Sequence, residues 1–257
     1  MDLKELLHRE GADVVGIASA DRFEKALPGC KPTDLLPGAR ALAAFAVRIP
    51  RGALESANYR LITNAWNMAN AELTRLGSKA VRFLEDLGYL AVAIPPFLPV
   101  DMLEKHGLAG DLSLKHAAAM AGLGQVGESG LLLTSRFGPR QRLGAVITDA
   151  PLEPDPSGAK NWCKACADKP CVRACPAGAI EKGTGKLDKL LCLDRYQRFG
   201  GRALARFLRK LLTASTPETS TALLKFPSVL EFYEMHQFIR VGGVACAECM
   251  RACPVGA

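Results

Sequence analysis

Cys163-Lys164-Ala165-Cys166-Ala167-Asp168-Lys169-Pro170-Cys171-Val172-Arg173-Ala174-Cys175-Pro176 is the stretch whose reading decides this chain's architecture. Four cysteines at C-x2-C-x4-C-x3-C-P let one loop present several thiolates to one iron-sulfur cubane. The last cysteine, placed before Pro176 at a turn, reaches a second cubane. The pattern returns as Cys246-x2-Cys249-x3-Cys253-Pro254, and Cys192 is the remaining cysteine nearby in sequence. The crossed arrangement assigns Cys163, Cys166, Cys171 and Cys253 to one 4Fe-4S cluster and Cys175, Cys192, Cys246 and Cys249 to the other. Zinc is the competing reading, but structural zinc sites use paired knuckles about 12 to 20 residues apart. Here the third and fourth cysteines follow within nine residues of Cys166.

One spacing departs from the two-cluster ferredoxin run, because four residues instead of two separate Cys166 from Cys171. The longer loop through Ala167, Asp168, Lys169 and Pro170 bears on loop shape more than on ligation. Two clusters in one small ferredoxin-like domain make an electron wire. Cys30, the ninth cysteine, stands alone in a Pro-Gly loop and is assigned no role.

Outward from the cysteines, composition fits a folded chain with a real core. Of 257 residues, 49% are apolar and 23% charged, long enough for two modest domains. The formal charge of +7 counts thiols as neutral. Eight thiolates and two oxidised cluster cores of about +2 each bring it to roughly +3, which removes any nucleic-acid signal. The densest basic run, Arg198 to Lys210, reads as a solvated helix face or a docking surface for an acidic redox partner protein. The N-terminus is a charged amphipathic helix without a signal-peptide core, and no apolar run spans a bilayer. A cytoplasmic protein with no membrane segment is expected.

The first 150 residues alternate helix and strand patterns, an α/β layer organisation. Asp13 to Ser19, Ala39 to Ile49, Tyr89 to Ile94 and Arg142 to Asp149 read as strands. Ala53 to Leu87 reads as a long helix interrupted near Gly77, with Gly88 as its stop, and Ser113 as the N-cap of a helix from Leu114 to Ala121. Pro151 to Gly158 reads as a stiff linker. It divides a domain over 1–150 from one over 151–257, the latter with a helical insertion about 195–240 that includes Ala203 to Leu212 and Ser228 to Phe238.

Gly122-Leu123-Gly124-Gln125-Val126-Gly127 matches G-x-G-x-x-G, but a helix rather than a strand precedes it, so the dinucleotide context is missing. These glycines read as a helix C-cap and a tight loop whose bare backbone can lie against a flat cofactor. His116, next to this loop, is a candidate cofactor contact or proton donor, against the plainer reading of a structural hydrogen-bonder. His8, His106 and His236 are weaker candidates.

The run His116 to Leu133 with its Gly122-Leu123-Gly124-x-x-Gly127 core, then Gly138, Arg142-Leu143-Gly144, Thr148-Asp149-Ala150-Pro151-Leu152 and the cysteine motifs, resembles epoxyqueuosine reductase and the related reductive dehalogenases. The resemblance implies an α+β protein: a nitroreductase-like N-terminal domain that binds cobalamin, followed by the two-cluster domain. Gly122, Gly124, Gly127 and His116 are then cofactor-binding candidates, and FMN is the weaker cofactor alternative. Glu128 and Ser129 stand where such reductases carry Lys and Asn or His. Asp111 does not fit the offset of their catalytic acid, so no catalytic residue is assigned. The chain ends shortly after Pro254, without the helical-repeat domain that grips tRNA, which argues against a tRNA substrate. An electron carrier without an organic cofactor is the alternative function.

Overall fold

The computed structural model of the protein describes residues 2–97, 110–158, 161–196, 200–225 and 244–256. Helix α1 (Leu3–Arg9) opens with a capping box in which Asp2 and Glu5 satisfy each other's backbone N–H groups. Strand β1 (Val14–Ser19), a 3-10 turn (Ala20–Phe23), helix α2 (Pro32–Leu35) and strand β2 (Ala41–Arg48) follow. Next come α3 (Arg51–Glu55), α4 (Tyr59–Asp86), β3 (Ala91–Ile94), α5 (Leu114–Met120), the short strands β4 (Gln125–Val126) and β5 (Leu132–Leu133), and β6 (Gln141–Thr148). The cysteine half carries α6 (Trp162–Ala165), α7 (Pro170–Arg173), α8 (Lys189–Tyr196), α9 (Gly201–Leu212), α10 (Pro217–Leu223) and a last helix, Glu248–Ala252.

The main sheet has the order β1-β2-β6-β3, with every neighbouring pair antiparallel. The apolar run of β2 is explained by burial on both faces, because successive side chains point to opposite sides. Leu42, Ala44 and Ala46 join α5 through Ala117, Ala118 and Ala121. Ala41, Ala43 and Phe45 join α1 and α4 through Leu3, Leu7, Leu73, Leu76 and Leu84. Helices thus cover both faces of an antiparallel sheet, the α/β layering expected from the alternation. A third apolar cluster joins Ile49, Leu54, Ile62 and Ala65 to Ala245, Ala247 and Met250, fastening the last cysteine motif onto α3 and α4.

One local expectation needs correction. Helix α4 runs through Gly77 without interruption, and the glycine is there for space, since a Cβ would lie 3.1 Å from Ala93 of β3. Ser113 is the N-cap of α5 as expected, its carbonyl accepting from His116 and Ala117, while its hydroxyl engages His116 Nδ1 at 2.7 Å rather than a helix N–H. The segment 151–158, read as a stiff linker, is held against β1. Asp155 accepts the Ile17 N–H at 2.8 Å and Lys4 Nζ at 2.7 Å, while its own N–H reaches the Ile17 carbonyl at 2.9 Å. The expected helix from Ser228 to Phe238, and His106 and His236, lie outside the described residues, among which no helix is long and apolar enough to cross a membrane.

Asp155→Ala would leave the Ile17 N–H without its side-chain acceptor and remove the partner of Lys4. A loss of about 1–3 kcal/mol is expected, read by chemical denaturation, with faster proteolytic nicking between Pro151 and Gly158.

Candidate functional site

Between the main sheet and the cysteine motifs lies a cavity of about 290 Å³. Its walls include Pro96 and Phe97 after β3, Lys115 at the start of α5, Leu131 after the glycine loop, Arg142 of β6 and Met250 from the last motif. Gln141 fixes the floor: its amide donates to the Leu132 and Gly138 carbonyls at 3.0 and 2.8 Å and accepts from Thr134 Oγ1 at 3.0 Å. Every polar atom of that buried amide is satisfied, so the floor is rigid.

Arg142 dominates the electrostatics. Its guanidinium donates to Asn70 Oδ1 at 3.0 Å and the Pro96 carbonyl at 3.1 Å, and lies 5.1 Å from the Trp66 ring centroid and 5.7 Å from that of Phe97. Both oxygen acceptors are neutral. Burial drives its pKa down to about 10 against a small opposing pull from Tyr196, so the surrounding protein is dense even though part of the side chain still faces the cavity. A cation this poorly hydrated, with acceptors on one side and aromatic faces around it, is receptive to an anionic or strongly polar group. Tyr196 itself, at the end of α8, is pushed up to about 12 by burial, and its ring meets Phe97 edge-on at 6.2 Å. Lys115 donates to the Gly130 carbonyl at 2.8 Å, and burial, then Lys189, lowers its pKa.

The glycine loop is a small hairpin, β4 against β5, entered from α5 through Gly122 at φ +79°. The missing side chains are accounted for within the chain. A Cβ on Gly122 would lie 2.5 Å from the Pro156 carbonyl oxygen, on Gly124 1.9 Å from that of Leu133, and on Gly127 2.7 Å from Leu133 Cδ1 and 3.1 Å from Cys163 Sγ. His116 is exposed on α5 and does not line the cavity.

The cysteine motifs are assembled by short local devices. Asn161 caps α6, which carries Cys163; Lys169 turns the chain into α7, which carries Cys171; and α7 packs on Glu248–Ala252. An Ile180–Leu187 bridge folds the chain back so that α8 brings Cys192 toward Cys175, and the Val244 N–H bonds the Tyr196 carbonyl at 2.8 Å, bringing Cys246 alongside. Two sulfurs accept backbone N–H groups, Cys163 from Glu128 at 3.4 Å and Cys175 from Ala179 at 3.3 Å.

The thiols influence one another in two sets. Burial, then Cys253 and Cys163, raises the Cys171 pKa. Burial raises that of Cys253, with further increments from Cys163 and Cys166 against the lowering effect of Arg140. Burial, then Cys246 and Cys175, raises Cys192, and Cys249 is pushed up to about 12 by burial, then by Cys246, Cys192 and Cys175, with Cys171 last. Among the described residues no three His, Cys, Asp or Glu side chains converge on one metal ion. Cys30 sits apart in its loop.

A second cavity, about 540 Å³, is lined by Arg48, Arg51, Arg140 and Arg251 with Leu54 and Phe137. Two of these arginines already hold carbonyls: Arg140 binds those of Val255 and Cys253, and Arg251 those of Leu54 and Ser56. Sequence reasoning passed over the Lys115, Arg142, Trp66 and Phe97 environment. The available signal was a single arginine near the start of a largely apolar strand.

No family model matches the chain. It is 31% identical over 182 residues to a tetrachloroethene reductive dehalogenase of Dehalobacter restrictus, covering 70% of this chain and 29% of that protein. It is 36% identical over 110 residues to the epoxyqueuosine reductase of Listeria monocytogenes (43% and 28%), and 26% identical over 221 residues to that of Bacillus cereus (71% and 52%). In fold it is similar to a catabolic reductive dehalogenase, with a TM-score of 0.63 at 19% identity over 99% of this chain and 31% of that one. The epoxyqueuosine reductase of Bacillus subtilis gives a TM-score of 0.57 at 18% identity, over 99% and 64%. The chain is homologous to both groups and shares their fold, and it spans 29% of the length of the first dehalogenases it matches.

Gly124→Ala should lower the thermal midpoint of the cofactor-free protein by several degrees, because the new methyl would collide with backbone. If the glycine were spared only for a cofactor, the midpoint of the free protein would not move.

Proposed function

We propose that this chain is a reductase that carries two 4Fe-4S clusters on eight cysteines and uses them to reduce a corrinoid held at the cavity below the glycine loop. The observation that carries this reading is that the fold brings the two motifs together: α7, with Cys171, packs on Glu248–Ala252, with Cys249, and the Val244–Tyr196 bond draws Cys246 toward the helix of Cys192. Cys163, Cys166, Cys171 and Cys253 hold one cluster, and Cys175, Cys192, Cys246 and Cys249 hold the other. The donors suit such clusters: most are at least partly buried, neighbouring thiols raise the pKa values of Cys171, Cys192, Cys249 and Cys253, and two sulfurs accept N–H groups. A cationic cluster core relieves the mutual repulsion of the thiolates. A cubane also spreads its thiolates at its corners, farther apart than the ligands of a single ion. In this reading residues 1–150 form the cofactor-binding unit and 151–257 the cluster-binding unit.

When bound, a corrinoid supplies a strongly reducing metal centre that side chains cannot provide. The described walls, which include Pro96, Leu131 and Met250, leave the cavity partly open. Arg142 holds an anionic or polar group in the cavity, the aromatic rings of Trp66 and Phe97 exclude water around that contact, and Gln141 keeps the floor in place. Homology to tetrachloroethene reductive dehalogenase and epoxyqueuosine reductase supports an enzymatic role of this kind. Its electrons come from a redox partner protein.

Specific observations favour a second reading, an electron carrier with no organic cofactor. The cavity, about 290 Å³, is small for a corrinoid, and the bare faces of Gly122, Gly124 and Gly127 are spent on the chain's own packing. Anaerobic titration of the iron-reconstituted protein with cob(II)alamin, and separately with FMN, separates the readings. A shifted cobalt paramagnetic signal supports the corrinoid reductase, and an unchanged one beside two intact clusters supports the carrier.

Reconstituted protein should hold about eight irons, and Cys192→Ala about half of them, measured as iron and acid-labile sulfide. Full retention by the variant would remove Cys192 from the ligand set.

A further inference from the structure

Two departures from the expected pattern meet in space. Glu128 follows the glycine loop where related reductases carry a different residue, and Lys169 lies in the lengthened loop between Cys166 and Cys171. Glu128 Oε1 is 2.5 Å from Lys169 Nζ, and the two side chains are 13% and 15% exposed. Glu128 Oε2 also accepts the Gly183 N–H at 3.3 Å, its backbone N–H points at Cys163 Sγ at 3.4 Å, and Lys169 Nζ donates to the Cys163 carbonyl. Lys169 stands at φ +44° directly before Pro170, the only non-glycine residue at positive φ among the described residues. Before proline an extended backbone is preferred, and a left-handed conformation is unfavourable for a residue with a Cβ. That strain is maintained where it brings an ammonium group to the cysteine loop.

We propose that the Lys169–Glu128 pair sets the reduction potential of the cluster held by Cys163, Cys166, Cys171 and Cys253. The inference rests on the two-cluster reading. Reduction adds one electron, delivered by a low-potential one-electron donor, to a cluster that its thiolates already make negative; no bond is formed or broken and no proton is taken up. Lys169, mostly withdrawn from solvent beside Cys163, stabilises the added charge, and Glu128 moderates that effect while fixing the ammonium in place. The pair also fastens the glycine loop to the cysteine loop, so the charge keeps its position when the electron arrives.

The test is a potentiometric titration of the full, iron-reconstituted chain with dithionite, followed by electron paramagnetic resonance of both clusters. Lys169→Met should make reduction of one cluster about tenfold less favourable, 59 mV for a one-electron couple. Glu128→Gln should shift the same cluster the opposite way, and the other cluster should move less in both. Lys169→Arg should restore the potential. Lys169→Gly removes the charge and also relieves the backbone, so it should behave as Lys169→Met does. If Lys169→Gly instead matches the original protein, the Lys169 charge does not set the potential and the proposal fails. Unchanged midpoints in Lys169→Met and Glu128→Gln, with iron retained, also overturn it while leaving the cluster reading intact. An original protein that takes up no iron overturns the cluster reading and the proposal together.

Discussion

The close approach of backbone to backbone at the glycine loop governs how the two halves of the chain meet. Gly124 lies against the Leu133 carbonyl and Gly122 against that of Pro156, at separations that leave no room for a methyl group. The first contact closes the β4–β5 hairpin, and the second seats the 151–158 segment against the end of α5. Gly127 then brings the hairpin onto Cys163, and Glu128 continues the contact to Lys169. Widening any of these contacts would move the cysteine loop relative to the sheet. Dispersion and hydrogen bonding fall off within an ångström or so, so the assembly has little tolerance for that.

The chemistry in this framework comes from charges and thiols withdrawn from water. Arg142 has neutral oxygen acceptors and aromatic neighbours, and its lowered pKa records the desolvation it has not recovered. The thiols record the same condition with the opposite sign, since burial and their neighbours disfavour thiolates. An anion at the first and a cationic cluster core at the second would each offset a cost the folded chain already carries. Lys169 and Glu128 differ because they pair with each other, and their surplus effect falls on the nearest sulfur.

Much of the fold was legible because β2 and β6 are apolar runs of strand length, and because the long pattern after Ala53 has helical period. The cysteine motifs were legible because ligand spacing is local. Gly77 misled, since glycine weakens an isolated helix, whereas here the neighbouring strand repays its presence by packing close. Ser113 was legible as the N-cap of α5, although its hydroxyl goes to His116 rather than to a helix N–H. The glycine loop was correctly seen as tight, but the sequence carries no mark of which surface a bare backbone will face. Nor does it show that Glu128 and Lys169, forty-one positions apart, would meet, because that contact exists only once both halves are folded.

The two thiol sets are not equivalent relative to the cavity. Met250, next to Cys249, lines its wall, and Tyr196, on the helix that carries Cys192, meets Phe97 and acts on Arg142. The other set instead reaches the glycine loop through Cys163 and the second, arginine-lined cavity through Cys253, whose carbonyl Arg140 holds. Under the two-cluster reading, the cluster of Cys192 and Cys249 is therefore the one nearer the cavity. In that reading the Lys169–Glu128 pair lies beside the cluster farther from the cavity, and the desolvated Arg142 lies at the cavity itself. Placing these two charges apart lets each be tuned by its own neighbours, because interactions between separated charges weaken with distance and with the intervening solvent.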